Sequence, residues 1–222
     1  MKMYPSFNEV FVNDELLGIF YPLCSDEHGL HFVSSNGLWM NEQYGTEHNT
    51  FSYVKFEIIS GKYDFSGDIR LYKGCEYAKK IFPILADDFN TNGNDYLAEK
   101  IKPVIYINKI TKILPPQTVE DIDLDYYLNT FYEFNINKLN YNLNGKVGEF
   151  SHLIRGYAKP VKSPIIYNEK EHGGHIPMEK NLTKGYRHMG AVVECEFFAD
   201  GNDTVLFYNE NDNKVLSANH YS

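Results

Sequence analysis

The chain has 222 residues, of which 43% are hydrophobic, and this suffices to bury the core of one globular domain. Its formal net charge is -9 and no basic stripe runs along it, so we expect neither a nucleic acid nor an anionic membrane surface as a partner. The acidity indicates good solubility or an attraction to a basic protein partner.

The cysteines and the N-terminus predict the compartment. Cys24, Cys75 and Cys195 are odd in number, and their spacing does not match a metal knuckle, which favours buried thiols in a reducing environment. Cys75 opens a predicted helix, where the helix N-terminus could lower a thiol pKa, but a buried structural thiol is the preferred interpretation. The sequence has no signal-peptide pattern and no apolar run of membrane-spanning length, so we expect a cytoplasmic protein.

Short β-rich segments occupy the first third of the chain. Residues 51–59 alternate, with Val54, Phe56 and Ile58 on one face of a predicted strand that ends at Ser60-Gly61. Asn36-Gly37 lies between two apolar runs and predicts a hairpin turn. Further strands are predicted at residues 9–12, 16–21, 30–35, 38–40 and 63–72, with a loop at 22–29.

The middle of the chain has helical periodicity. Tyr77, Ile81, Leu85 and Phe89 are spaced four apart and predict one buried helix face. The Asn/Gly-rich residues 90–93 predict a break in this helix. The helical regions are predicted over residues 75–101 and 118–132, with a strand at 104–107 between them.

The last third returns to β structure. Residues 189–198 and 204–209 are joined by a turn at 200–203 and predict neighbouring antiparallel strands, with Val193, Cys195 and Phe197 facing the core. We predict a single domain, residues 1–222, with 142–148 as a possible internal boundary. The order of elements predicts an α+β fold, in which an antiparallel sheet, or two packed sheets, is built from both ends of the chain, with the helices on one side.

A histidine-rich loop is the first candidate for chemistry. His172 and His175 flank two glycines, and with His188 or His152 as a third ligand they could bind Zn²⁺. Two-histidine metal motifs hold their spacing on a helix, whereas Gly-Gly favours a loop. A solvated loop without metal is therefore the preferred interpretation.

A second candidate is the pair Glu194 and Glu196, which share one face of a predicted strand and could act as acid and base. The pair resembles the Glu-x-Glu strand of the arginine-type ADP-ribosyltransferases, and residues 68–74 resemble the strand that carries the NAD-binding arginine of that family, here Arg70. The Ser-Thr-Ser strand of the family has no counterpart between them. The resemblance implies an NAD-using transferase, and the alternative is an amphipathic strand with a solvent-exposed face.

A second resemblance covers only the C-terminal part. Residues 152–160, His-Leu-Ile-Arg-Gly-Tyr-Ala-Lys-Pro, precede a strand at 191–198 and an aromatic strand at 205–208. Their order resembles that of the YwqG-like bacterial proteins, although Arg155 and Ala158 stand where glycine and proline are usual. The resemblance implies a β-rich α+β fold in a bacterial cytoplasm, and it implies no catalytic residues.

Together these features favour a non-enzymatic protein-binding module of an immunity or regulatory type, with a basic protein as partner and no cofactor. The sequence contains no complete catalytic constellation, and its aromatic residues suit an interface. The alternative is an enzyme, using either a metal or NAD. Its candidate residues are His172, His175 and His188 for the metal, and Arg70, Glu194 and Glu196 for catalysis with NAD.

Overall fold

The computed structural model describes residues 2–117, 122–145, 184–192, 197–198 and 203–220. Strands from the N-terminal and C-terminal parts form antiparallel sheets, and helices from the middle of the chain pack against them. The predicted α+β class is therefore confirmed.

The described elements follow one another in three groups. The first 65 residues contain β1 (Lys2–Met3), α1 (Phe7–Val10), β2 (Tyr21–Ser25), β3 (His31–Ser34), β4 (Tyr53–Ile59) and β5 (Lys62–Phe65). Three helices follow, α2 (Cys75–Ala98), α3 (Pro103–Ile110) and α4 (Leu124–Asn144). The C-terminal strands are β6 (Arg187–Val192), β7 (Asp203–Asn209) and β8 (Lys214–His220).

The strands form two sheets. One has the order β1-β2-β3, and the other has the order β5-β4-β8-β7-β6. The C-terminal strand β8 thus lies between β4 and β7, where Ser217 is opposite both Val54 and Leu206. The Ser217 hydroxyl donates a hydrogen bond to the Val33 carbonyl at 3.3 Å, which links the second sheet to β3 of the first.

Two strand predictions are confirmed in detail. In β4, Val54 and Phe56 are buried, and the strand ends in a two-residue turn at Ser60-Gly61, where both φ angles are positive. Strands β6 and β7 are antiparallel neighbours, as predicted. Phe197 is fully buried, whereas Val193 and Cys195 lie outside the described residues.

Three predictions near the N-terminus are wrong, two of them because local hydrogen bonds favour other conformations. Residues 7–10 are helical, since the Glu9 carboxylate accepts from the Ser6 backbone N–H at 2.7 Å and closes the first turn. The Asn13 side chain caps a 3₁₀ turn by accepting from the Glu15 N–H at 2.8 Å, so residues 16–21 do not form a strand. The segment predicted as a loop at 22–29 instead contains most of β2.

The predicted hairpin at Asn36-Gly37 does not form. Strand β3 pairs with β2 instead, and the Asn-Gly turn lies against α4. Gly37 has a φ of +103°, and a Cβ atom there would lie 3.0 Å from Cβ of Thr130. The glycine therefore serves a close approach to a helix rather than a strand-to-strand turn.

Two predictions in the helical region are also wrong. Helix α2 continues through residues 90–93, where the Asn92 side chain donates to the Asp88 carbonyl at 3.1 Å and Tyr96 extends the buried face. Residues 104–107 belong to α3 rather than to a strand. Pro103 occupies the first turn of this helix, where a backbone N–H would have no partner within the helix, so proline costs no hydrogen bond there. Tertiary packing overrides the local propensity at residues 90–93, whereas a local signal, Pro103, sets the start of α3.

Helix α4 is the central helix of the layer. It contacts α2, α3 and β2 through three aromatic pairs: Phe131–Phe82 with ring centroids 5.7 Å apart, Tyr132–Tyr106 stacked at 4.6 Å, and Phe134–Tyr21 at 5.0 Å. Such pairs add to the stability that burial alone provides.

A buried histidine joins the two sheets. His31 is 8% exposed, and its Nδ1 lies 2.8 Å from the Ser25 hydroxyl. The Tyr63 hydroxyl accepts from the His31 backbone N–H at 2.7 Å and donates to its carbonyl at 2.9 Å. Burial lowers the pKa of the His31 imidazole below its ordinary value of 6.5, against the opposing effect of Asp26.

This burial predicts a loss of stability in acid. Below about pH 6.5 the unfolded chain binds a proton at His31 that the folded protein does not, so the unfolding free energy falls as the pH falls towards the folded-state pKa. His31→Asn should lower stability at neutral pH but reduce its fall between about pH 7.5 and about pH 5.5. Urea unfolding at several pH values measures this slope.

The matched control is His28→Asn, because the His28 side chain is 59% exposed. This control should retain the slope of the unsubstituted protein. An equal slope for His31→Asn and the unsubstituted protein would show that His31 does not contribute to the pH dependence.

Candidate functional site

The single tryptophan of the chain lies on the surface. Trp39 is 57% exposed, although the preceding Leu38 is buried. The Trp39 ring packs against that of Tyr126, with centroids 5.5 Å apart and planes tilted by 37°. We call Trp39 and Tyr126 the aromatic pair.

The start of α4 positions the aromatic pair. The Asp123 carboxylate caps this helix by accepting from the Tyr126 backbone N–H at 3.1 Å. The Tyr126 hydroxyl in turn donates to Oδ1 of Asn36, in the loop that leads to Trp39. Together with the approach of Gly37 to Thr130, these bonds hold the loop on the helix.

The segment after Trp39 lies alongside residues 71–73. The Lys73 N–H donates to the Trp39 carbonyl at 2.8 Å, and the Asn41 N–H donates to the Leu71 carbonyl at 2.7 Å. The pairing connects the aromatic pair to a neighbouring cleft of about 280 Å³. Its walls are Asn41, Gln43, Tyr44, Arg70, Tyr72, Lys73, Gly74, Cys75 and Glu76.

Arg70 lies at this cleft with its charge already compensated. Its guanidinium carbon is 4.7 Å from the centroid of the Tyr44 ring. Nε of Arg70 donates to both carboxylate oxygens of Asp68, at 3.0 and 3.1 Å. These hydrogen bonds lower the pKa of the Asp68 carboxyl and raise that of Arg70. A cation, a ring and a carboxylate are thus combined within one segment.

A buried asparagine fixes this segment. Asn49 is fully buried, and its Nδ2 donates to the Asp68 carbonyl at 2.8 Å while its Oδ1 accepts from the Asp68 N–H at 3.0 Å. The Thr46 hydroxyl donates to the same Oδ1 at 2.7 Å. A Cβ atom on Gly67 would lie 2.5 Å from Oδ1, so glycine is required for this approach. Asn49 therefore joins the loop of Tyr44 to that of Arg70.

Exposed acidic residues lie on both segments that carry the aromatic pair. Glu42, Asp123 and Asp125 are exposed, and none of them forms a salt bridge within the part of the chain that the structure describes. Asp123 is the N-cap of α4, and Asp125 lies in its first turn, one residue before Tyr126. The segments of the aromatic pair therefore also carry exposed carboxylates that form no salt bridge among the described residues.

The structure places Arg70 differently from the sequence prediction. A strand is predicted at residues 63–72, but the observed strand β5 ends at Phe65. Arg70 lies on a 3₁₀ turn, Ile69–Leu71, that Asp68 caps. Glu194 and Glu196 lie outside the described residues, so their relation to Arg70 is not part of the described geometry. The guanidinium is occupied by Asp68 and Tyr44.

His188 is the one described residue of the predicted metal set, since His152, His172 and His175 lie outside the described ranges. It lies on β6, and its ring is 5.4 Å from that of Phe207. Burial lowers the pKa of His188. Within the ranges that the structure describes, no group of three or more His, Cys, Asp or Glu side chains could hold a metal ion.

The two described cysteines are buried free thiols, as predicted. Cys75 opens α2, and burial, followed by the charge of Glu76, raises the pKa of its thiol. Burial likewise raises the pKa of Cys24 to about 12. Since the thiolate is the nucleophile, neither residue is activated. Cys195 lies outside the described residues.

The aromatic pair was not singled out from the sequence. The available signal was the alternation at Leu38-Trp39 after an Asn-Gly turn, which places successive side chains on opposite sides. Tyr126 lies 87 positions after Trp39 in the sequence, and nothing in the sequence pattern connects the two residues.

Comparison with known proteins does not add a relative. No family model matches the chain, and no curated protein and no solved structure shows significant similarity to it. The resemblance to the YwqG-like proteins therefore stays a prediction. Among the described helices, none is both long and apolar enough to cross a membrane.

The position of Asn49 makes the integrity of the site testable. Asn49→Ala removes hydrogen bonds to both backbone groups of Asp68 and to Thr46, and an unsatisfied buried polar group costs about 1–3 kcal/mol. We expect a loss of about 2–4 kcal/mol in unfolding free energy, measured by urea titration. Asn94→Ala, at an exposed position of α2, should lose less than about 1 kcal/mol. Equal losses for both variants would contradict this role of Asn49.

Proposed function

We propose that the protein is a non-enzymatic binding module of an immunity or regulatory type, which acts by occupying a basic protein partner in the cytoplasm. The observation that carries the proposal is the exposed aromatic pair, on segments that also carry exposed carboxylates without a salt bridge among the described residues. The resemblance of residues 152–160 to YwqG-like proteins, which implies no established chemistry, agrees with a binding role.

The exposure of Trp39 is unusual in a protein whose aromatic residues largely build the core. Phe20 and Phe56 are 2% and 1% exposed, whereas Trp39 is 57% exposed. Tryptophan, tyrosine and arginine are the residues most enriched at the energetic centres of protein interfaces. Trp39 and Tyr126 lie beside a cleft that contains Tyr44 and Arg70, so the surface has the composition of such a centre.

Charge favours a basic partner over an acidic one. The chain carries a formal net charge of -9, and Glu42, Asp123 and Asp125 are exposed on the two segments that carry the aromatic pair. Complementary charge accelerates association and disfavours partners of like sign. Of the cations next to the pair, Arg70 is paired with Asp68, whereas Lys73, which is bonded to Trp39 through the backbone, adds one positive charge.

The proposal requires no cofactor. The enzymatic alternatives depend on Glu194, Glu196, His172 and His175, which lie outside the described residues. No feature of Arg70 or His188 in the described geometry favours catalysis over a structural role.

The test is affinity capture with defined surface variants. Trp39→Ala should lose the partner that the unsubstituted protein captures, because removal of a central aromatic residue typically weakens binding by about 2 kcal/mol or more, roughly 30-fold. Asp125→Lys should slow association with the same partner and weaken its dependence on salt. Mass spectrometry identifies the partner, and surface plasmon resonance measures the rates.

The control is Ile113→Ala. Ile113 is 58% exposed, an exposed fraction similar to the 57% of Trp39, and it lies on a different segment. It should capture the partner as well as the unsubstituted protein does. If Trp39→Ala and Asp125→Lys remain folded and bind the partner with unchanged affinity and rates, the aromatic pair is not the interface.

A further inference from the structure

We infer that the aromatic pair is a binding site for an arginine side chain of the basic partner. The inference rests on the proposed function and adds the group that the surface recognises. A guanidinium over the Trp39 indole, paired with a carboxylate from the first turn of α4, is the arrangement that the described residues favour.

The indole supplies the first half of this site. Tryptophan is the best aromatic face for a cation, and the attraction operates within about 6 Å of the ring centroid. Tyr126 packs against the Trp39 ring and holds it, while more than half of the residue stays accessible at 57% exposure. No cation of the described residues lies over the Trp39 ring, although Lys55, Arg70 and Lys109 lie over other rings.

The carboxylates supply the second half. Asp125 immediately precedes Tyr126 and is exposed, and Asp123 lies two residues before it. Glu42 is exposed on the segment that follows Trp39. A guanidinium that stacks on the indole would therefore have acceptors on both segments that hold the aromatic pair.

The described part of the chain already contains a guanidinium in such a setting. Arg70 lies 4.7 Å from the Tyr44 ring centroid and donates through Nε to Asp68 at 3.0 Å. There the cation, the ring and the carboxylate all belong to one molecule. At the aromatic pair the ring and the carboxylates are present in the described residues, and the partner would supply the cation.

Arginine fits better than lysine. The guanidinium is planar, weakly hydrated and able to stack while it donates in the ring plane to a carboxylate. An ammonium is more strongly hydrated and offers no planar stacking. We therefore expect roughly a three- to tenfold preference for arginine over lysine, in the range of a cation–π contribution.

The single tryptophan makes the test direct, since intrinsic fluorescence excited in the tryptophan band reports on Trp39. Three labelled peptides of about six residues, one of arginine, one of lysine and one of uncharged citrulline, are each titrated into the full chain at matched ionic strength. We expect the arginine peptide to change Trp39 emission and to bind at least threefold more tightly than lysine by anisotropy, and we expect citrulline to bind much more weakly.

Two variants check the site. Trp39→Phe should reduce the preference for arginine, and Asp125→Asn should weaken both charged peptides, whereas Ile113→Ala should leave both unchanged. Equal affinity for the arginine and lysine peptides, with an equal change in emission, would overturn the arginine inference and leave the basic-partner proposal intact. An arginine preference that persists in Trp39→Phe, or tight citrulline binding, would also overturn it. If neither charged peptide binds and Asp125→Lys keeps its captured partner, the proposed function fails as well.

Discussion

The contacts of the Phe20 ring are the interaction on which the rest of the structure depends. Its ring lies 5.4 Å from that of Phe56 on β4, 5.6 Å from Phe65 on β5 and 5.3 Å from Tyr72, in edge-to-face arrangements. Each such pair contributes about 0.5–1.5 kcal/mol beyond the burial of its area. Tyr72 belongs to the segment that hydrogen-bonds to Trp39, so the core geometry around Phe20 sets the position of the aromatic pair.

The C-terminal strand completes the same core. Because β8 lies between β4 and β7, the hairpin of β4 and β5 has no second neighbour in its sheet until the end of the chain has been added. Contacts between residues so distant in sequence slow folding, since the entropy of loop closure is lost before the contacts form. The hydrogen bond from Ser217 to Val33 then connects the completed sheet to the smaller one. The N-terminal loops that carry the site therefore rest on a sheet that both ends of the chain build.

The sequence predicts the fold best where a periodic pattern coincides with the core. The four-residue spacing of Tyr77, Ile81 and Leu85 and the alternation of Val54 and Phe56 both correspond to buried faces. Short apolar segments are predicted worst, because residues 9–12 and 104–107 fit a strand or a helix equally well by composition. Capping chemistry at or before the start of each segment decides its structure: the Ser6–Glu9 hydrogen bonds for the first, and Pro103 for the second.

The site is less predictable than the fold, because exposure depends on distant partners. Arg70 matches a functional pattern in sequence, but Asp68, two residues earlier, compensates its charge in the folded protein. Trp39 matches no motif, and its packing against Tyr126 arises only when the fold brings α4 to the loop that carries it. A carboxylate close in sequence to a cation predicts an internal ion pair. An exposed aromatic ring without a cation of its own chain over it is instead available to a cation from another molecule.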